Sequence, residues 1–456
     1  MNDFAHHSNS SGGTAVSAAP LGAEVQRHRF AGPVARTSAA AAPFAGVQLL
    51  DGWLAQVAGS LARSGIDRRL RRLAAGRLTV IESGRPRTFG KPDAELSATV
   101  TIHDPRFHSA LAFGGTVGAG ESYAAGWWST DDLVSLIRLL ARDQSAFADL
   151  NSGFSRLSGP LRSLRHRLRP NHRAGARANI AAHYDLSNDF YALWLDPTLS
   201  YSACVFASPD ATLESAALRK LDQIGDRLGL RAEHHLVEIG TGWGGLAIHL
   251  ARRHGCRVTT TTISAAQHAE ATARVRAAGL GNLVTVLDAD YRDLPGRCQP
   301  ADRLVSVEMI EAIGHAQYPT FFATCQRLLK PDGLALVQAI TIPERWYAAA
   351  RDSVDFIKAH IFPGCNIPSL GALNLAMARS SDLNLIALHD LTADYATTLR
   401  HWRTRFLARW DDIAALGFDQ RFRRLWEFYL AYCEAGFRER SIGDAQLVLA
   451  RPRWQS

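Results

Sequence analysis

Apolar residues change their period along this chain. From residue 235 onward, short runs rich in aliphatic and β-branched residues recur at His235–Ile239, Cys256–Thr262, Val284–Asp288, Ala301–Val307, Leu334–Ile340, Asn384–Leu391 and Ala445–Ala450. Each has the length of a strand. Helical patterns separate the first five, which predicts a parallel sheet. The last two enclose a long helical stretch, Asp394–Glu439, placed to roof a site. Upstream, residues 46–150 predict a small α/β unit. It has a helix at Val47–Ala62, strand-like runs at Leu78–Glu82 and Glu95–His103, a segment at Arg106–Phe113 and a helix at Asp131–Arg142.

Between these regions the pattern turns basic. From Ser155 to His183 there are seven arginines (156, 162, 165, 167, 169, 173, 177) and no acid. Leu157, Leu161, Leu164 and Leu168 recur at spacings of 4, 3 and 4, one face of a helix. A short basic amphipathic helix suits an anionic membrane surface. The same pattern fits a solvated linker helix whose leucines pack on a neighbouring domain. No nucleic-acid-binding motif accompanies it.

At 456 residues the chain is long enough for two or three domains, and its 47% hydrophobic content can fill their cores. No run of about 18 apolar residues would span a membrane. Residues 1–45, rich in Ala, Ser and Gly, lack the order of a signal peptide and read as a disordered leader. Six cysteines are scattered without a CxxC pair, which argues against disulfides and a zinc cluster and makes a reducing cytoplasm the default. His6-His7 and His234-His235 lack the further ligands of a metal site, so none is expected.

The segment with the most chemistry is Leu236–Leu250. A buried-strand run ends in Gly240-x-Gly242-x-x-Gly245, and a helical pattern follows. Glycines there let the backbone turn tightly and approach a nucleotide-like cofactor. The motif alone would suit a dinucleotide enzyme equally. Its neighbours favour S-adenosylmethionine (SAM). Glu238 lies two residues before the first glycine, where SAM methyltransferases often place an acid. A dinucleotide fold would want a carboxylate about 20 residues on. Arg257–Ser264 has none.

The chain resembles the cyclopropane-fatty-acyl-phospholipid synthase family, which includes the mycolic-acid cyclopropane synthases. The resemblance rests on His183–Tyr191, Leu195–Ser202, Val237–Gly245, Thr261–Gln267, Asp290–Leu294, Asp302–Glu311, Ile361–Gly364, Asp394–Leu399 and Phe437–Arg440, in order along the chain. Gly120–Trp128 is similar to the N-terminal region of longer members, and residues 46–150 faintly suggest a sterol-carrier-like lipid fold. The resemblance implies an α/β fold: a seven-stranded, Rossmann-like SAM-methyltransferase domain over residues 179–456, with helical insertions. A small α/β lipid-associated domain (46–150) and the basic connector (151–178) would precede it.

The implied activity moves the SAM methyl carbon onto a cis double bond of a phospholipid acyl chain. A proton then leaves and a cyclopropane ring closes. An alkene is a poor nucleophile, so it must be held in line with the methyl. The resulting carbocation requires a dry pocket with aromatic faces. In the family a bound bicarbonate removes the proton. Motif by motif, the resemblance assigns Tyr201, Ser202, Glu238, Gly240, Gly242, Gly245, Thr262, Ile263, Gln267, Tyr291, Arg292 and Val307 to SAM. It assigns Glu311, Tyr395, Gln338, Ile340 and Cys204 to the bicarbonate and catalytic region, with Glu311 and Tyr395 expected on the bicarbonate itself.

Three positions depart from the family pattern. Ala203 stands where a cysteine is usual, with Cys204 displaced by one. Gln338 replaces a histidine, and Ala312 replaces another, with Glu308 an extra acid nearby. Gln cannot become cationic or shuttle a proton. These changes bear on the final proton removal, so a methylene- or methyl-branched chain without ring closure is the alternative product. Further alternatives are methylation of a soluble small molecule, and a non-catalytic lipid carrier with a retained SAM fold. The expected setting is the inner face of the cytoplasmic membrane, as a peripheral enzyme, and the resemblance implies a homodimer formed through the N-terminal domain.

Overall fold

The computed structural model describes residues 53–143 and 186–455. The leader and the basic connector lie outside them. Within this range the chain forms two sheets.

The first sheet has four strands: β1 (Arg77–Glu82), β2 (Arg85–Gly90), β3 (Ser97–Ile102) and β4 (Trp128–Thr130), in the order β2-β1-β3-β4. β1 and β3 are parallel, and β2 and β4 are antiparallel to them. Leu78, Val80, Val100 and Ile102 alternate inward. Three helices cover that face: α1 (Trp53–Leu70), α2 (Arg106–Ala124) and α3 (Leu133–Arg142).

The expected first helix runs on eight residues past Ala62, because Ile66 and Leu70 continue the buried face of Ala62 at four-residue spacing. α2 also outruns its expected segment. It passes a break at Gly115 (φ 54°, ψ −134°), a conformation open to glycine. β2 carries Arg85, Pro86, Arg87 and Thr88 on the sheet edge, so no apolar alternation announced it.

The second sheet has seven strands: β5 (His235–Ile239), β6 (Arg257–Thr262), β7 (Val284–Asp288), β8 (Ala301–Val307), β9 (Leu329–Thr341), β10 (Asn384–Asp390) and β11 (Gly443–Ala450). Their order is β10-β11-β9-β8-β5-β6-β7, with only β11 reversed. The order turns at β5, so β5 and β8 part their loops at one carboxyl edge, where α/β sheets bind ligands. The expected helical roof divides into Thr392–Ala408, Trp410–Ala415 and Gln420–Arg438. Gly417 (φ 100°) and the Asp419 cap, accepting from the Phe422 N–H, end one helix and start the next.

One apolar cluster joins the two parts. It runs from Leu78, Val100 and Trp128 through Phe428 to Trp194, Tyr395 and Trp402. Arg138 and Arg142 of α3 both donate to Glu439, each at 2.6 Å. Among the described residues no helix is long and apolar enough to cross a membrane.

Candidate active site

β5 delivers the glycine loop to the carboxyl edge of the sheet. Gly240, Gly242 and Gly244 all have positive φ (103°, 51° and 83°). The turn presents backbone at the start of the Gly245–His254 helix. Gly245 is fixed by space: a Cβ there would meet the Thr198 carbonyl oxygen at 2.3 Å. Beneath the loop Glu238 is 3% exposed, and its Oε2 has no partner among the described residues. Burial pushes its carboxyl up to about 8.

The neighbouring strand ends complete the rim. Thr262 donates to Gln267 Oε1 at 2.9 Å and accepts from the Ser264 N–H at 3.1 Å. Thr262, Ile263 and Gln267 line one cavity with the glycine loop. After β7, Tyr291 and Arg292 line it too. The Arg292 guanidinium is held on Asp290, whose carboxylate also takes the Arg292 N–H. The Tyr291 hydroxyl is buried without a partner among the described residues. Tyr201, Ser202 and Val307 close the far side, with the Tyr201 and Tyr429 hydroxyls 2.7 Å apart.

These features fit a cofactor such as SAM. The loop offers close backbone approach, and Glu238 and Tyr291 keep polar atoms unspent. The twelve residues assigned to the cofactor all line this cavity.

Glu308 joins several of the groups assigned to the bicarbonate region. Glu311 does not meet Tyr395. Its Oε1 accepts from the Ile340 N–H, and its Oε2 is unpartnered among the described residues. Tyr395 instead donates to Glu308 Oε2 at 2.7 Å. Glu308 Oε1 accepts from the Ala203 N–H at 2.9 Å and from Gln338 Nε2 at 2.7 Å. Tyr395 and Gln338, both assigned to the bicarbonate region, are therefore engaged with one side-chain carboxylate, as is the Ala203 N–H. Glu308 follows β8 at φ 47°, a backbone conformation that costs a non-glycine residue about 1–3 kcal/mol and turns its side chain into the cavity wall.

Two expected site residues stand behind that wall. Gln338 is fully buried, holding Glu308 and Asp444 through one amide nitrogen while its oxygen accepts from Gln446. Cys204 is fully buried, and its N–H goes to Thr398. Burial pushes its thiol up to about 12, so it offers no thiolate.

Residues that sequence reasoning passed over complete the cluster. Asp444 is buried, and burial followed by the charges of Glu308 and Glu311 holds its carboxyl well above the ordinary range. Glu311 is raised to about 8, by burial first and then by Glu308. At Glu308 burial also raises the carboxyl, but three donors and the Lys220 ammonium oppose it. Burial is the larger effect, so the Glu308 carboxyl too stands above its ordinary range. Lys220 is 2% exposed and donates to Ser202 Oγ at 2.8 Å. Its place among Leu213, Ala217, Leu221 and Ile224, on the buried face of the Leu213–Arg227 helix, was the available signal. Tyr395 stacks on Phe437 at 4.4 Å, and Tyr201 packs on Trp194 and Trp402, which makes this end of the cavity aromatic.

Comparison with known proteins places this geometry. The family model described as mycolic acid cyclopropane synthetase matches residues 171–447. The chain is 41% identical over 345 residues to the tuberculostearic acid methyltransferase UfaA1 of Mycobacterium tuberculosis, covering 74% of this chain and 79% of that protein. It is 36% identical over 369 residues to the cyclopropane-fatty-acyl-phospholipid synthase of Escherichia coli, covering 78% and 88%. Among solved structures it is similar to the cyclopropane synthase MmaA2 of Mycobacterium tuberculosis, with a TM-score of 0.56 at 29% identity over 60% of this chain and 98% of that one. The mycolic acid cyclopropane synthase CmaA1, solved with SAH and CTAB, gives a TM-score of 0.55 at 30% identity over the same 60% and 98%. With its glycine loop, its seven-stranded sheet and these relatives, the chain belongs to the mycolic acid cyclopropane synthetase family of SAM-dependent methyltransferases.

Proposed function

We propose that this enzyme methylates a cis double bond in the acyl chain of a membrane phospholipid, and that Glu308 is its built-in base. The observation that carries this reading is the Glu308 carboxylate held by Ala203, Gln338 and Tyr395. A bicarbonate does not fit beside it, because those three donors are taken. No step is therefore assigned to bicarbonate.

SAM, when bound, supplies the methyl group. The alkene's electron pair forms the new carbon–carbon bond, and positive charge passes to the neighbouring chain carbon. The rings of Tyr201, Tyr395 and Phe437 stabilise that cation without attacking it. The closed apolar wall excludes the water that would trap it. A hydride then shifts from the methylated carbon to its cationic neighbour. Glu308 takes a proton from the new methyl, and the released C–H pair becomes the second bond of a methylene branch. General-base assistance of this kind contributes about 10²–10⁴-fold.

A ring product is the second reading, favoured by the 36% identity to the Escherichia coli synthase. It needs no hydride shift, since the same C–H pair closes onto the cationic carbon. The branched product is preferred for two reasons. The bicarbonate cradle is filled by Glu308, and the Mycobacterium tuberculosis relative at 41% identity is named for a tuberculostearic acid methyltransferase.

Proton NMR of phospholipid vesicles turned over with SAM separates the two. Vinylidene signals, formed at the same rate with and without added bicarbonate, are expected. Glu308→Gln should lower turnover about 10²–10⁴-fold and leave SAM affinity unchanged. Upfield ring signals whose formation stops when bicarbonate is stripped would replace this reading with the second.

A further inference from the structure

The cavity does not end at the catalytic cluster. Its volume is about 1310 Å³, more than the roughly 300–1,000 Å³ that one drug-sized ligand fills. One side opens beside the Glu344–Asp352 helix, where Trp346 is 36% exposed with the Arg345 guanidinium 5.4 Å above its ring. The other side passes Tyr395 and Phe437 and reaches the small four-stranded sheet. There the wall is mostly aliphatic, with Val80, Val100, Leu111 and Ile137, and His108 and the Asp67–Arg87 ion pair also line it. The passage between them runs by Gly114, Gly115 and Thr116, where the break in α2 removes side-chain bulk, and by Tyr432 of the Gln420–Arg438 helix.

We propose that this aliphatic arm receives the methyl-terminal part of the reacting acyl chain, so that the small sheet measures where along the chain the methyl is added. The inference rests on the acyl-chain reading above. A polar headgroup stays at the Trp346 mouth, where an amphipathic ring and an arginine meet water. The double bond lies beside Glu308 and the aromatic rings. The carbons beyond it need a dry, aliphatic continuation, and the arm supplies one. Each further methylene buried there strengthens binding about fourfold, so substrates with a longer tail bind better until the arm is full.

The test uses the full chain and vesicles of monounsaturated phospholipids whose double bond stays at one position while the tail beyond it is shortened stepwise. Leu111→Trp and Ile137→Trp fill the arm from half-buried positions. Leu61→Trp, at an exposed site, is the control. Expected is a fall of about tenfold or more in the ratio of kcat/KM for the longest over the shortest tail in the two filled variants, with SAM affinity and Tm unchanged. An unchanged ratio in folded variants overturns the inference. A second measurement does not depend on those variants. A phospholipid carrying a photoreactive diazirine at the end of its unsaturated chain should label wild-type peptides within residues 66–141. Labelling confined to residues 340–437 sinks the inference and leaves the acyl-chain reading standing. No saturable labelling together with no turnover removes that reading, and the inference falls with it.

Discussion

Glu308 is held at φ 47° by the sheet it follows: its N–H donates to the Gln338 carbonyl at 2.9 Å. Strain of this sort persists only where surrounding contacts over-determine it, and here those contacts are the same ones that load the carboxylate. Lys220 completes the balance: its buried ammonium opposes the effect of burial at Glu238, Glu308 and Asp444. Lys220→Met should push the acidic limb of the pH–rate profile upward by about one unit, a roughly tenfold loss of turnover on that limb, and Lys220→Arg should restore part of it. A profile that stays in place while Tm drops would make Lys220 a structural residue only. Glu311 also makes a stability statement. Its carboxyl rises from 4.5 unfolded to about 8 folded. Between those values the folded chain binds more protons, so its contribution is complete below 4.5 and is lost as pH rises towards about 8. In denaturant titrations of the SAM-free protein, Glu311→Gln should gain stability over wild type as pH rises through that window. A difference that stays flat with pH refutes the raised carboxyl.

Among the elements, α2 and the Gln420–Arg438 helix decide whether the small sheet is joined to the catalytic part. Arg424 reaches across with its guanidinium 4.1 Å above the Tyr123 ring and donates to the Trp128 carbonyl at 2.7 Å. Phe428 packs on both Tyr123 and Trp128. A cation–π contact with hydrogen bonds from a charged donor contributes about 2–4 kcal/mol. Arg424→Met should lower the unfolding free energy by about that amount. It should also reduce turnover on long-tailed substrates more than SAM affinity. A denaturation midpoint equal to wild type would show that apolar packing alone joins the layers. Much of this scale was legible beforehand. All seven strands of the large sheet fall where aliphatic and β-branched runs placed them, and the central ones, β5, β8 and β9, do so because a strand buried on both faces needs a continuous apolar segment. β2 was not legible, since an edge strand with arginines and a proline carries no such run.

At the scale of the molecule, we propose that the Arg-rich segment 155–183, in a chain of formal charge +8, meets an anionic lipid surface. The segment lies outside the described residues, so its role is argued from sequence. Replacing Arg162, Arg165, Arg167 and Arg169 with Gln removes about 1 kcal/mol of attraction per residue. Co-sedimentation with anionic vesicles should then weaken by two orders of magnitude or more, with a shallower salt dependence. Binding and salt dependence equal to wild type would move the membrane contact elsewhere, with the Trp346 mouth the next surface to test.

By itself, the sequence determined what depends on neighbours a few residues apart. That covers the strand and helix periods, the glycine loop whose φ angles only glycine adopts readily, and the residues lining the cofactor cavity. Tertiary structure alone decided which carboxylate the buried donors converge on. Glu308 meets Ala203 across 105 positions, Tyr395 across 87 and Gln338 across 30. No local period encodes which of two buried acids three residues apart will meet Tyr395. That choice falls to the strand end that fixes its backbone and to the donors that three separate elements bring to one point.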